Sequence, residues 1–144
     1  MLAYTVYSEA GGVGKTTLTA NLAKAEARAG NEVLLIDLDT QEASLSYLLD
    51  VDEDRGNKEA DSLLRHMIDR PRGEFADLIK TSEGLDIIPA HNILEYASKH
   101  LQRRAEEAAD FGESFNPNKQ LLRVLREAGV HEQYDTLIID PPAS

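Results

Sequence analysis

The chain has no cysteine. That excludes disulfides, and with them metal or iron–sulfur clusters held by thiolates. No apolar run is long enough to span a bilayer, and no secretory leader is present: the apolar opening Met1–Val6 is short and lacks a basic flank. The sequence therefore reads as that of a cytoplasmic protein. Positive charge is scarce. Against 26 aspartates and glutamates stand 15 lysines and arginines, a formal net charge of −11. A surface of that sign repels nucleic acid at ordinary salt. The acids are spread widely, which fits adaptation to a high-salt cytoplasm where screening tempers their repulsion. His66, His91, His100 and His131 have no metal-ligand spacing. There is no repeat, linker or low-complexity stretch, and 144 residues suffice for one domain with a real core.

What the chain does have is glycine in one place. Gly11-Gly12-Val13-Gly14-Lys15-Thr16-Thr17 follows the apolar-rich stretch Ala3–Tyr7 and opens a helix-like stretch that ends near Ala29. A strand feeding a glycine loop feeding a helix lets backbone N–H groups wrap phosphates. The glycines admit the anion without a Cβ clash, and the helix N-terminus adds roughly half a positive charge. In such a loop Lys15 reaches the β- and γ-phosphates and the Thr16 hydroxyl holds Mg²⁺. Five fixed positions of this kind coincide by chance on the order of 10⁻⁴ times over such a chain. A glycine turn with one stray lysine is thus the poorer explanation.

Two short apolar runs each end in aspartate: Val33–Ile36 before Asp37, and Leu137–Ile139 before Asp140. Continuous apolar runs suit parallel strands buried on both faces, although periodicity alone does not separate them from a buried helical turn. In open α/β sheets ligands sit beyond the carboxyl ends of the strands. Asp37, Asp39 and Asp140 are therefore expected at the edge that carries the glycine loop, where phosphates and Mg²⁺ give carboxylates a reason to converge. Taken singly, each aspartate is better explained as a strand-end cap or turn former.

The glycine run resembles the deviant Walker A loop, K-G-G-x-G-K-T-[TS], of the ParA/MinD family of ATPases. The match covers Gly11–Thr17 and stops one residue short, because the family's signature lysine falls on Ala10; the first glycine of the more general P-loop falls on Glu9. Val33–Gln41 resembles the strand ending D-x-D-P-Q, with Thr40 in place of proline, Leu85–Ala90 resembles the next strand, and Tyr134–Pro142 resembles the Walker B strand. The blocks occur in family order across essentially the whole chain. The resemblance implies a doubly wound, mostly parallel P-loop NTPase domain of the SIMIBI type, with ATP and Mg²⁺ as ligands. By resemblance, residues 11–17 cradle the phosphates and Thr17 meets the α-phosphate. Asp39 positions the attacking water, Asp37 supports the magnesium shell, and Asp140 holds Mg²⁺ through water. The lack of cysteine counts against the cluster-bearing nitrogenase iron protein branch.

The family's lysine reaches across a dimer to the partner's phosphates, and a cation delivered in trans is worth on the order of 10³–10⁵ in rate for related hydrolases. Ala10 therefore implies ATP binding with weak hydrolysis. The resemblance further implies a nucleotide-dependent homodimer, a ParB-like activating partner, and DNA or membrane elements in a part of the fold that follows Ser144, the chain being expected to form the N-terminal portion of one domain. The leading expectation is a ParA-like switch for DNA partition or cargo positioning. A MinD-like membrane-associated regulator and a non-hydrolysing nucleotide-binding protein are the alternatives.

Elsewhere, Leu18, Leu22 and Ala25–Ala29 predict the apolar face of the first helix, with Gly30 as its stop. Gln41–Leu49, Ser62–Asp69 and Phe75–Ile79 predict short helices, and acidic Asp50–Asn57 a loop. Its Asp50, Asp52 and Asp54 fall just short of a calcium-loop pattern. Asn92–Asp110 is the longest helical pattern, with Ile93, Leu94, Ala97, Leu101, Ala105 and Ala108 as its stripe and Arg103-Arg104/Glu106-Glu107 as a solvated face. Asn116-Pro117 starts a helix whose Leu121, Leu122, Val124 and Leu125 face inward and which Gly129 ends.

Overall fold

The computed structural model describes residues 2–5, 13–41 and 44–142, with side chains from Thr16 onward. Five strands form one sheet: β1 (Leu2–Thr5), β2 (Val33–Asp37), β3 (Lys80–Ser82), β4 (Leu85–Ile88) and β5 (Thr136–Asp140), in the order β1-β5-β2-β4-β3. The first four of that order run parallel, and β3 pairs antiparallel with β4 at the edge. Among the described residues six α-helices accompany them: α1 (Val13–Arg28), α2 (Leu45–Leu48), α3 (Leu63–Met67), α4 (Ala97–Asp110), α5 (Gln120–Glu127) and α6 (Val130–Gln133).

The continuous apolar runs are explained by two separate cores. All five residues of β2 are buried. Val33 and Leu35 join Leu85, Ile87 and Ile138 on one face, against Ala20 and Ala23 of α1 and Leu45 of α2. Leu34 and Ile36 join Ile88 and Leu137 on the other, against Leu63 of α3, Val124 and Leu125 of α5 and Val130 of α6. Side chains alternate across a strand, so a strand covered on both faces must be apolar at every position. This is the doubly wound, mostly parallel sheet the sequence predicts.

Three local expectations need correction. The buried side of α1 is Thr16, Thr19, Ala20 and Ala23, while Leu18 is 59% exposed and Ala25, Ala27 and Ala29 face solvent. Residues two apart lie about 200° around a helix, so burying Ala20 turns Leu18 outward; the small side chains of Ala20 and Ala23 let the helix lie close on the sheet. On α5, Leu122 is likewise 58% exposed while Val124 and Leu125 are buried. The pattern Asn92–Asp110 is two elements, a 3-10 turn over Asn92–Tyr96 and then α4, on which only Ala108 is fully buried. His91 caps that turn: its Nδ1 accepts from the Ile93 amide at 3.0 Å while Nε2 lies 2.8 Å from the Asn57 carbonyl.

The edge hairpin is absent from the sequence expectations. Glu83 and Gly84, at φ 52° and 76°, connect β3 to β4. Two successive positive φ values make the tight turn that matches strand twist. Two terminators behave as read: Asn116 Oδ1 accepts from the Asn118 amide at 3.0 Å, and Gly129, at φ 72°, ends α5.

Candidate functional site

Parallel pairing puts the carboxyl ends of β1, β5 and β2 side by side on one sheet edge. β1 leads into the glycine run, and α1 emerges from it at Val13. Glu9, Ala10, Gly11 and Gly12 lie outside the described residues; Val13, Gly14 and Lys15 form the first turn of α1. No acidic residue sits in that turn, so nothing there neutralises the positive helix end. Thr16 is buried and Thr17 is exposed.

Asp37 and Asp140 end neighbouring strands and are register partners, at a strand spacing of about 4.8 Å. Both are buried, as is Asp39. The ladder continues one step further, with the Leu38 amide donating to the Asp140 carbonyl at 2.9 Å. Three sequence-predicted carboxylates are thus gathered at one edge because two parallel strands end together.

Asp37 is held from several directions. Its Oδ1 accepts from the Asp39 amide at 3.0 Å, and its Oδ2 accepts from the Ser46 amide at 2.8 Å and the Ser46 hydroxyl at 2.5 Å. That hydroxyl oxygen in turn accepts from the Ala90 amide at 2.8 Å. Burial pushes the Asp37 carboxyl above its ordinary value, and the donors from Ser46, Asp39 and Ser44 pull back against it without cancelling it. Asp39 Oδ1 accepts from the Gln41 amide at 3.0 Å, which turns the chain immediately after β2.

Sequence reasoning missed two residues here. Ser46 carries no motif signal; it matters because it bridges β2 to the end of β4. Arg55 lies in the acidic loop Asp50–Asn57 and carries no motif signal either. Its Nη1 donates to the carbonyls of Thr40 at 3.0 Å and Gln41 at 2.7 Å, and its Nη2 donates to the Ser44 hydroxyl. One guanidinium therefore fixes the chain just beyond Asp39 from both sides of residues 42–43. A planar fork with several donors can do this and an ammonium cannot.

The donor set at this edge is all oxygen, which suits a hard cation such as Mg²⁺. Among the described residues no three carboxylate or imidazole groups converge closely enough to hold a metal alone.

A family model described as "AAA domain" (AAA_31) matches residues 2–144. The sporulation initiation inhibitor protein Soj of Bacillus subtilis is 33% identical over 144 residues, 96% of this chain and 49% of that protein. The chromosome-partitioning ATPase Soj of Thermus thermophilus is 33% identical over 138 residues, 95% of this chain and 44% of that protein. Among solved structures, cobyrinic acid a,c-diamide synthase from Mycobacterium smegmatis, with bound ATP analog and magnesium, superposes with TM-score 0.78 at 28% identity, covering 100% of this chain and 52% of that one. The chain spans about half the length of these proteins. The paired strand-end aspartates beside the head of α1 and these matches together make the chain a member of the AAA_31 family, corresponding to the N-terminal part of the ParA/MinD-type P-loop proteins.

Proposed function

We propose that this chain binds ATP with Mg²⁺ and works as a ParA-like switch in DNA partition or cargo positioning, with slow intrinsic hydrolysis. The observation that carries the reading is the shared edge: the N-terminus of α1, with no acidic residue in its first turn, at the edge that carries the register pair Asp37–Asp140. The name of the T. thermophilus relative supports partition, and the nucleotide analog and magnesium in the M. smegmatis structure support the ligands.

Main-chain amides of residues 11–17 cradle the phosphates, and the Thr17 hydroxyl meets the α-phosphate. Lys15 neutralises charge building on the β- and γ-phosphates. Thr16 and, through water, Asp140 would hold Mg²⁺, which would supply charge neutralisation at the phosphates. Asp37 supports that shell, and Asp39 orients the water that attacks. Phosphoryl transfer asks for positioning and charge, and each of these groups supplies one or the other. The working form is a nucleotide-dependent homodimer answering to an activating partner, in a cytoplasm whose salt the acidic surface suits.

Ala10 favours a second reading, a nucleotide-binding regulator that does not turn over, because a methyl group carries no charge to a partner's phosphates. Titrating the chain with ATP, with and without Mg²⁺, and following phosphate release with and without DNA, tests both. Magnesium-dependent binding with turnover well below that of a lysine-bearing relative is expected, and Ala10→Lys is expected to raise turnover. The absence of any nucleotide affinity refutes the proposal. Turnover matching the lysine-bearing relative refutes the slow hydrolysis, and no turnover under any condition leaves the regulator reading standing in its place.

A further inference from the structure

The charge of −11 is not evenly distributed. Between α3 and α4 lies a cavity of about 320 Å³ whose apolar lining is Leu64, Ile68 and Ile93. Around it stand Arg65, Arg70, Arg103 and Arg104, with His100 and a single carboxylate, Glu107. Four of the chain's 15 lysines and arginines thus meet one of its 26 acids, a local reversal of sign. Arg104 is committed, with Nη2 at 3.3 Å from Asp69 and its guanidinium 5.1 Å from the centre of the Phe115 ring. Arg65 donates to the Arg70 carbonyl at 3.1 Å. Arg70 and Arg103 are exposed, and their guanidinium groups have no ion-pair or hydrogen-bond partner among the described residues. Desolvation, with Arg103, Lys99 and Arg70 nearby, lowers the pKa of His100, so that ring stays neutral and adds no cation.

A second cavity, about 360 Å³, shares Ile68, Arg70, Arg104 and Glu107 with the first and runs on to Phe111, which is 75% exposed; its other lining residues are Glu113 and Asp69, the latter paired with Arg104 and Arg123 at 3.3 Å, so the excess of positive charge belongs to the end at Arg70 and Arg103. The two form one groove in which uncommitted guanidinium groups border aliphatic surface.

We propose that this groove docks a short acidic segment of a partner protein, its carboxylates pairing with Arg70 and Arg103 and a leucine-like side chain entering the Leu64–Ile68–Ile93 pocket. Guanidinium forks match carboxylates two bonds at a time, and a concave apolar floor with a few placed charges is what a side chain needs. Nucleic acid fits less well. Bases stack on aromatic faces, whereas the floor beside Arg70 and Arg103 is aliphatic and Phe111 lies at the far end of the groove, next to Glu113; the rest of the chain repels a long polyanion.

The test is fluorescence anisotropy of the whole chain with a labelled short peptide alternating glutamate and leucine. The comparison peptides carry glutamine for glutamate or serine for leucine, and a DNA duplex serves as competitor. Arg70→Gln with Arg103→Gln removes two exposed, unpaired groups and is expected to leave the thermal melt unchanged. It is expected to weaken the peptide about tenfold; Arg103→Gln alone has a smaller effect in the same direction. Both comparison peptides should bind more weakly, and added salt should weaken the parent peptide. The proposal is overturned by any of three results: no binding of the glutamate–leucine peptide, undiminished binding by the double variant, or displacement of the peptide by DNA through the same arginines. Nucleotide affinity, read on the same samples, is expected to be unchanged, which separates this surface from the strand-end site.

Discussion

Ser46→Ala probes the strand-end site most sharply. The lost hydroxyl donates to Asp37 Oδ2 and accepts from the Ala90 amide, and all three residues are buried. A hydrogen bond to a charged group is worth about 2 kcal/mol, and a buried amide left without an acceptor costs about 1–2 kcal/mol more. The expected loss is about 3–4 kcal/mol, a large part of the total for a domain whose stability is about 5–15 kcal/mol. The loss should also depend on pH. The Asp37 carboxyl already titrates above its ordinary 3.8 in the folded chain. Over that window the folded state binds more proton than the unfolded state, so this group's contribution to stability falls as pH rises through it. Removing the Ser46 donor raises the folded value further and deepens the penalty on the ionised form. The difference between variant and parent is therefore largest at neutral pH and narrows as pH falls towards 3.8. Urea unfolding at several pH values measures this, provided the slope against denaturant is unchanged. A difference below about 1 kcal/mol, or one that ignores pH, refutes the reasoning.

Arg55→Lys should cost about 2 kcal/mol in urea unfolding and slow phosphate release, because an ammonium cannot span Thr40, Gln41 and Ser44 together; a variant with parental stability and turnover rejects the clamp. Leu35→Ala, at a fully buried position of β2, should destabilise by about 2–5 kcal/mol, read as a lower urea midpoint. Gly129→Ala would make only ordinary contacts, 3.6 Å to Glu132 and 3.8 Å to Gln133, but must hold φ 72°, so a thermal melt should report a loss of about 1 kcal/mol. Asp140→Asn should leave the fold intact and abolish the magnesium dependence of ATP affinity in calorimetry; an unaltered dependence would remove Asp140 from the metal site. With a net charge of −11, melting temperature should climb with added potassium chloride, and a flat response argues against high-salt adaptation.

The parts legible from sequence were those whose cause is local. Glycines ahead of a helix, apolar runs that stop at Asp37 and Asp140, the Asn116 cap and the Gly129 stop each announce themselves within a few residues. That was enough to identify the doubly wound fold and to place Asp37, Asp39 and Asp140 at one end of the sheet. Tertiary structure decided the rest. The last strand, β5, inserts between β1 and β2, and only that order brings Asp140 level with Asp37. The sheet turned α1 to bury alanine and threonine and expose Leu18, against its apolar pattern. Ser46 reaches the Ala90 amide 44 residues away, and Arg55 grips carbonyls 14 and 15 residues back along the chain. Partners so distant in sequence leave no periodic trace: burial against the sheet chooses the helix face, and strand order chooses which polar groups must satisfy one another.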